Sequence, residues 1–254
     1  MPVQTLPSFS AWPGRGAVAA ADLVGRLRLV REAVEGRVVL TTSFGIEDQA
    51  ITHAIAVAGL DIDIVTLDTG RLFPETYAVW AETERRYERR IRAVYPHGPS
   101  LEVLVELQGI DGFYGSLEAR KACCGVRKVE PLRRALDGAA VWIAGLRAGQ
   151  SAERGDISFV AFDQGFALWK ASPLFDWTRE RLDTFVAEHG VPVNALHARG
   201  FPSIGCAPCT RAIAPGEPER AGRWWWEDDA RKECGLHVGA DSRLLRSATG
   251  EAVA

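Results

Sequence analysis

The chain lacks the features that mark membrane, secreted or nucleic-acid-binding proteins. No apolar run approaches the roughly 20 residues of a membrane span. The first 16 residues show no basic start followed by an apolar stretch, which argues against a secretory signal. The formal net charge of −3 supplies no global basic field for nucleic acid. We therefore expect a cytoplasmic protein with neither a membrane nor a nucleic acid as its partner.

Cysteine is also scarce, with five residues among 254. Five are too few for a disulfide scaffold at this length. In a reducing compartment, clustered cysteines more often bind metal or take part in chemistry. Apolar residues, by contrast, make up 47% of the chain, which is enough to bury a substantial core.

Strands and helices alternate along most of the chain. Strands are predicted at residues 37–43, 61–67, 91–95 and 140–144, and a strand pair at 157–162 and 166–170. Helices are predicted at residues 18–35, 47–58, 74–90, 125–136 and 178–189. This order predicts an α/β fold, a mostly parallel sheet with helices on both faces, over residues 1–198. Beyond Arg199 no periodicity holds, so residues 199–254 are predicted to form an irregular, partly mobile C-terminal segment.

Two turns follow predicted strands and have the composition of ligand-binding loops. Ser43, Phe44 and Gly45 lie between a strand and a helix, where backbone N–H groups and hydroxyls suit a phosphate or sulfate. An ordinary strand-to-helix turn with Ser43 near the helix cap explains the same residues. The segment is not a Walker A loop, because the Gly-Lys-Ser/Thr ending is missing. Asp68 follows the second strand and either receives adenine or ribose groups or forms an Asx-turn.

Four of the five cysteines form two close pairs. Cys123 and Cys124 are adjacent, and Cys206 and Cys209 form a C-x-x-C. A thioredoxin-like redox pair, a structural zinc site and an iron–sulfur cluster are the competing interpretations. Adjacent cysteines give a cramped grip on one zinc ion, whereas each of them can bind its own iron in a cubane cluster. The spacing therefore favours a cluster over zinc.

The fifth cysteine, Cys234, has no partner cysteine in the sequence. Arg231, Lys232 and His237 surround it, and positive neighbours favour the nucleophilic thiolate. Its polar, glycine-containing surroundings argue against a buried structural cysteine. We therefore interpret Cys234 as a candidate nucleophile.

Several arginines and lysines lie close to the cysteines or to strand ends. Lys128 follows the vicinal cysteines, Arg147 follows the fourth strand, and Arg220 and Arg223 follow the C-x-x-C. Solvent-exposed faces explain many such charges. Their position nevertheless favours anion binding, because the guanidinium group is planar and permanently charged. Three consecutive tryptophans at 224–226 predict that part of the C-terminal segment docks on the body or on a partner subunit.

Taken in order, these motifs resemble the assimilatory sulfonucleotide reductases. The matching stretches are residues 41–49, 67–74, 123–128, 145–151, 172–178, 205–211, 220–227 and 233–237. The resemblance implies an adenine nucleotide α-hydrolase-like fold in which the Ser43 turn is a modified pyrophosphate loop. It also implies that Cys234 attacks the sulfur of the bound sulfonucleotide, and that thioredoxin or glutaredoxin then releases sulfite from the S-sulfocysteine.

The resemblance further implies a cofactor, a substrate and a set of ligand contacts. The two cysteine pairs imply a [4Fe–4S] cluster, and family members that use 3′-phosphoadenylylsulfate (PAPS) typically lack both pairs. The chain therefore resembles the members that reduce adenylylsulfate (APS). The implied ligand contacts are Ser43, Phe44, Gly45, Asp68, Lys128, Arg147, Arg220, Arg223 and His237. We also expect a homo-oligomer.

Two alternatives from other functional classes remain at this point. One is an enzyme of the pyrophosphate-loop group that uses ATP, although its Ser-Gly-Gly-x-Asp-Ser pattern is replaced here by residues 43–48. The other is a non-enzymatic redox sensor that binds a cluster, in which Cys234 would be dispensable.

Overall fold

The strands form one sheet of six in a computed structural model that describes residues 12–151 and 154–227. The order is β3-β2-β1-β4-β6-β5, and all neighbouring pairs are parallel except β5 with β6. The strands are β1 Arg37–Thr42, β2 Asp63–Leu67, β3 Arg92–Val94, β4 Ala139–Ile143, β5 Val160–Asp163 and β6 Leu168–Ala171. The mostly parallel sheet is confirmed.

Helices cover both faces of this sheet, as predicted. They are α1 Arg15–Ala20, α2 Leu23–Glu32, α3 Ile46–Val57, α4 Pro74–Tyr87, α5 Gly98–Gln108, α6 Leu117–Cys124, α7 Glu130–Leu136 and α8 Arg179–Glu188. Side chains of successive strand residues point to opposite faces, so Val38 and Leu40 pack with α2, α3 and α8. Val39 faces the other way and packs with α7. Each face therefore has its own apolar core.

Local chemistry explains where the helices depart from the predicted boundaries. The predicted helix at 18–35 is two helices, because Asp22 caps α2 by accepting a hydrogen bond from Gly25 N at 2.7 Å. The predicted helix at 125–136 starts with a π-helical turn, Gly125–Val129, that joins α6 to α7. Helix α5 was not predicted; none of its residues is fully buried, and its apolar side chains are divided between half-buried and exposed positions, which blurs the helical pattern.

The C-terminal segment, as far as it is described, packs on the α/β body without forming further α-helices. Residues 199–227 contain short 3₁₀ turns and one isolated bridge between Thr210 and Arg223. Ala207 N donates to Arg71 O at 2.8 Å, and Trp224 is only 1% exposed. The irregular character is thus confirmed for these residues, while the domain boundary at 198/199 stays a prediction.

The strand order creates a crevice where a ligand is expected. Strands β1 and β4 are neighbours, but the chain leaves β1 toward β2 on one side and leaves β4 toward β5 and β6 on the other side. In open α/β sheets, ligands bind outside such a topological switch point. Among the described residues, no helix has the length and apolar character needed to cross a membrane.

Candidate active site

A cavity of about 190 Å³ opens at the carboxyl ends of β1, β2 and β4. Its wall contains the strand ends at Thr41, Thr66 and Ala144, together with the loop that follows β1. That loop, residues 42–45, is called the Ser43 loop below. The cavity is therefore located at the switch point.

The Ser43 loop has an unusual backbone. Phe44 has a φ of 59°, a left-handed value that is uncommon for a residue other than glycine. Its N–H donates to Thr42 Oγ1 at 3.0 Å, and its ring is buried against Trp80 with 5.5 Å between ring centroids. The packing of the Phe44 ring against Trp80 thus offsets the backbone strain. Ser43 and Gly45, on either side of Phe44, line the cavity.

Asp48, in the first turn of α3, turns back onto this loop. Its Oδ2 accepts hydrogen bonds from Ser43 N at 2.7 Å and from Ser43 Oγ at 2.9 Å. Burial raises the pKa of the Asp48 carboxyl to about 6, although the donors of Ser43 and the Gly145 backbone oppose that rise. The carboxyl is therefore still mainly ionised at neutral pH.

Arg147 sits in a buried network of charges beside the cavity. Its Nε donates to Glu47 Oε1 at 2.9 Å, and its Nη2 donates to the two carboxylate oxygens of Glu219 at 2.9 and 3.1 Å. Arg179 also contacts Glu219 at 3.2 Å. Burial raises the pKa of Glu219, and Arg147 limits that rise. The network joins α3, the loop after β4 and the C-terminal segment.

Cationic side chains reach the cavity from several segments. Lys128 comes from the π-helical turn, and Arg220 and Arg223 come from the C-terminal segment. Arg223 passes so close to Gly205 that a Cβ there would lie 2.2 Å from its Nη2, which explains the glycine at this position. Arg154, which sequence analysis missed, is also buried in the wall and donates to Gln150 Oε1 at 2.5 Å.

The predicted ligand contacts are only partly brought together. Ser43, Gly45, Lys128, Arg220 and Arg223 line the cavity. Of the others, Phe44 packs beneath the loop, Arg147 is held by two carboxylates, and Asp68 forms an Asx-turn by accepting from Gly70 N at 2.8 Å. Tyr77 also donates to Asp68 at 2.9 Å. Cys234 and His237 lie outside the described residues, so their roles stay predictions.

All four paired cysteines line a second, smaller cavity of about 20 Å³ next to the first. Lys128, Cys206 and Trp224 belong to the walls of both cavities. The remaining cations of the smaller cavity are Arg71, Arg120 and Arg127. The pairs are distant in sequence, and the fold brings them to one place.

The thiols of this second cavity have different electrostatic surroundings. Burial raises the pKa of the Cys209 thiol to about 12 and also raises the pKa of Cys123. Burial acts in the same direction on Cys206, but Lys128 and a 3.3 Å contact with Thr69 Oγ1 outweigh it, so the pKa of Cys206 is lowered. Fixed cations and hydroxyls thus favour thiolate at one corner of the cavity.

The four thiols of the second cavity form a donor set of the kind that an iron–sulfur cluster takes. Within the described residues, no three His, Cys, Asp or Glu side chains are grouped to hold a metal ion. Four thiols around one cavity agree with a cubane, which spreads its ligands over four irons. The surrounding arginines and Lys128 would offset the negative charge of four thiolates. The residues therefore fit a [4Fe–4S] group.

Comparison with known proteins decides the family. Residues 37–212 match the family described as the phosphoadenosine phosphosulfate reductase domain. The chain belongs to this family. The match covers the Ser43 loop, both cysteine pairs and Arg147, and it confirms the resemblance inferred from the motifs.

Members of the reductase family are similar to this chain over most of its length. Adenosine 5′-phosphosulfate reductase from Rhizobium meliloti is 55% identical over 232 residues, covering 91% of this chain and 87% of the relative. A solved phosphoadenylyl-sulfate (PAPS) reductase from Candida auris, in a phosphate complex, has a TM-score of 0.67 at 22% identity and covers 78% of this chain and 93% of its own. The second comparison shows the shared fold.

A more distant structure bears on the fold class. Candida glabrata FMN adenylyltransferase in complex with ATP has a TM-score of 0.51 at 14% identity, covering 86% of this chain and 74% of that chain. The likeness agrees with the predicted adenine nucleotide α-hydrolase-like fold, which is thereby confirmed.

Proposed function

We propose that the protein reduces APS to sulfite and AMP with electrons from a dithiol protein. The observation that carries the proposal is that Lys128 and Cys206 line both the switch-point cavity and the four-cysteine cavity. The switch-point cavity thus adjoins a thiol-rich, cationic cavity, and this arrangement supports the proposal. The similarity to an APS reductase at 55% identity supports the choice of substrate.

The reaction has two stages with Cys234 as the nucleophile. Its thiolate attacks the sulfate sulfur of APS, an S–S bond forms, the bond from sulfur to the phosphate oxygen breaks, and AMP leaves. A thiolate of the reductant then attacks Cys234 Sγ, and sulfite leaves with the electron pair. The second thiol of the reductant resolves the mixed disulfide, so the dithiol is oxidised to a disulfide by two electrons.

The cations of the cavity supply the electrostatic part of catalysis. Negative charge spreads over the sulfate and phosphate oxygens as AMP leaves, so fixed cations stabilise the transition state. Lys128, Arg220 and Arg223 lie in the cavity wall and are assigned to the activated sulfate. Arg147 acts indirectly, by orienting Glu47 and Glu219. His237, which follows residue 227 in the sequence, is assigned to the same site.

The proposal includes a cofactor and protein partners. Cys123, Cys124, Cys206 and Cys209 would hold a [4Fe–4S] cluster, which would influence the neighbouring site through its charge. Thioredoxin or glutaredoxin is the proposed dithiol partner, because Cys234 must be regenerated after each turnover. We also propose that the protein is a homo-oligomer and that it works in the reducing cytoplasm. We further propose that residues 199–254 are a distinct segment that brings Cys234 to the cavity.

Sulfite release is the direct test of the proposed reaction. Anaerobically purified protein is incubated with thioredoxin and either APS or PAPS, and we expect sulfite mainly from APS. Preference for PAPS would keep the chemistry and overturn the substrate assignment. Absence of sulfite from both, combined with ATP consumption, would favour a pyrophosphate-loop enzyme that uses ATP.

The nucleophile is tested by Cys234→Ser. The variant should lose sulfite release entirely, because serine forms no S-sulfocysteine, while it should still bind AMP. After incubation with APS alone, mass spectrometry should show one added SO₃ group on the wild type and none on the variant. Normal turnover by Cys234→Ser would disprove the mechanism and favour the redox-sensor interpretation.

The cluster assignment is tested by iron analysis of two cysteine variants. We expect about four irons per wild-type chain, as a cubane contains. Cys206→Ser should lose most of this iron because one of four ligands is gone. Cys234→Ser is the matched control and should keep it. Zinc in place of iron in the wild type would contradict the assignment.

A further inference from the structure

The C-terminal segment brings two arginines to the switch-point cavity on a pair of linked turns. These turns, residues 218–223, are called the double turn below. Ala221 N donates to Pro218 O at 2.9 Å, and Arg223 N donates to Arg220 O at 3.0 Å. Arg220 therefore belongs to both turns, and its side chain lines the cavity together with that of Arg223. The position of the double turn thus determines where both guanidinium groups enter the cavity.

Glu219, the residue before Arg220, ties the double turn to the α/β body. Arg147 Nη2 donates to both carboxylate oxygens of Glu219, at 2.9 and 3.1 Å. Arg179 Nη1 donates to Glu219 Oε1 at 3.2 Å. Arg147 lies in the loop after β4 and Arg179 begins α8, so two separate parts of the body hold one carboxylate. The side chain of Glu219 is only 19% exposed, which limits the screening of these ion pairs by solvent and salt.

Glu217, two residues earlier, is paired in a different way. It forms an ion pair with Arg211 at 2.8 Å and accepts a hydrogen bond from Ala214 N at 2.7 Å. Both of these partners belong to the C-terminal segment itself. The side chains of Glu217 and Arg211 are 32% and 40% exposed, so solvent weakens this ion pair. The pairing joins two parts of the segment, whereas the pairing of Glu219 joins the segment to the body.

The contacts of Glu219 bear directly on the orientation of Arg220. The two residues are adjacent at the centre of the first turn, so fixing the Glu219 side chain restricts the backbone that carries Arg220. A guanidinium group binds an oxyanion through hydrogen bonds of defined direction, and a displaced guanidinium loses them. The position of Glu219 can therefore affect ligand binding without any contact between its carboxylate and the ligand.

We propose that Glu219 is a positioning residue, which holds the double turn against Arg147 and Arg179 so that Arg220 faces the sulfate group of the bound sulfonucleotide. This inference rests on the proposed function, because it takes Arg220 to contact that sulfate. It also gives a reason for the Glu219 carboxylate in the wall of a cavity that binds an anion.

Equilibrium binding to the full-length protein tests the proposal. All variants are made in Cys234→Ser, so that no turnover occurs during the measurement. Isothermal titration calorimetry measures the affinity for APS, which carries the sulfate group, and for AMP, which lacks it. Glu219→Ala is compared with the matched control Glu217→Ala, and both are repeated in combination with Arg220→Ala.

The loss of affinity should be specific to APS and should depend on Arg220. Glu219→Ala should weaken APS binding by about tenfold, because a displaced guanidinium loses a charged hydrogen bond, and AMP binding by less than about threefold. Glu217→Ala should leave both affinities within about twofold. When Arg220→Ala is already present, Glu219→Ala should weaken APS binding by less than about twofold more, because the residue through which Glu219 acts is gone.

A milder pair of variants covers the case in which Glu219→Ala does not fold. Glu219→Gln keeps the volume of the side chain and removes its charge, and it should weaken APS binding by about fivefold. Glu217→Gln is then the matched control.

Four results would overturn the inference. They are unchanged APS affinity in the Glu219 variants, an equal loss for APS and AMP, a loss that persists in full when Arg220→Ala is present, and an equal loss in the Glu217 variant. The last would show a general loosening of the C-terminal segment. Failure of Cys234→Ser to bind either APS or AMP would instead disprove the proposed function, so the two failures are distinguishable.

Discussion

At the scale of single residues, the partners of each charged group determine what it can do. Arg147 is 1% exposed and satisfied by Glu47 and Glu219, so its charge is used within the protein. Lys128 lies in the walls of two cavities and is close to Cys206. Arginines and lysines that look alike in the sequence therefore have different roles.

Asp48 should make the stability of the protein depend on pH. Burial raises its pKa to about 6, above the value in the unfolded chain, so the folded state holds the proton to higher pH. Its contribution is therefore most favourable below pH 4 and is lost as the pH rises through 6. From the size of the shift, the loss is about 3 kcal/mol.

Asp48→Asn removes this titration. Urea unfolding of wild type and variant between pH 4 and 7.5 should show the free-energy difference moving by about 3 kcal/mol in favour of asparagine as the pH rises. The other titrating groups cancel in the difference. Parallel curves for the two proteins would show that the carboxyl titrates normally.

At the scale of elements, the C-terminal segment is held by a few strong contacts in place of regular secondary structure. Arg120 of α6 donates to both carboxylate oxygens of Glu227, at 2.8 and 2.7 Å. The Trp224 ring lies under the guanidinium groups of Arg120 and Arg223, each 4.7 Å from its centroid. These contacts hold the end of the described chain beside the cysteine cavity.

Breaking the buried Arg120–Glu227 pair should be costly. The side chains are 1% and 8% exposed, so Glu227→Gln removes the carboxylate charge that is paired with the buried Arg120 guanidinium and should lower the free energy of unfolding by about 3–5 kcal/mol. The control is Glu130→Gln, which removes an ion pair with Arg134 whose side chains are 43% and 48% exposed. It should cost less than about 1 kcal/mol. If urea unfolding showed equal losses of free energy for Glu227→Gln and Glu130→Gln, the buried Arg120–Glu227 pair would not have the structural role assigned to it.

At the scale of the whole molecule, the cavity is built from segments that are far apart in sequence. The ends of β1, β2 and β4, the π-helical turn and the C-terminal segment all contribute to its wall. A ligand that binds there stabilises the contacts between these segments, and binding to the native state alone raises stability by mass action.

AMP should therefore protect the whole fold. At a concentration of 100 times its dissociation constant, it should add about 2.7 kcal/mol to the free energy of unfolding. For a chain of this size the thermal midpoint should rise by roughly 5 °C or more. Differential scanning calorimetry with AMP is compared with a run containing the same concentration of ribose 5-phosphate as control. Equal midpoints with both ligands would argue against an adenine-nucleotide cavity.

The sequence by itself determined the fold class, because strand and helix periodicity is a local property of the chain. It also determined the family and the two cysteine pairs, since ordered motifs and spacing are visible in one dimension. It located the Ser43 loop from its strand-to-helix context. It did not show α5, whose apolar residues are divided between half-buried and exposed positions.

Tertiary structure alone decided which of these groups meet. The parallel order places the ends of β1 and β4 side by side, so Asp48 reaches Gly145 from a distant part of the chain. Folding also paired Arg147 with two carboxylates and placed Arg154 in the cavity wall. The sequence does not show whether a ligand or another residue will neutralise a charged side chain. That depends on interatomic distances, which are set only when the sheet and its connecting segments have packed.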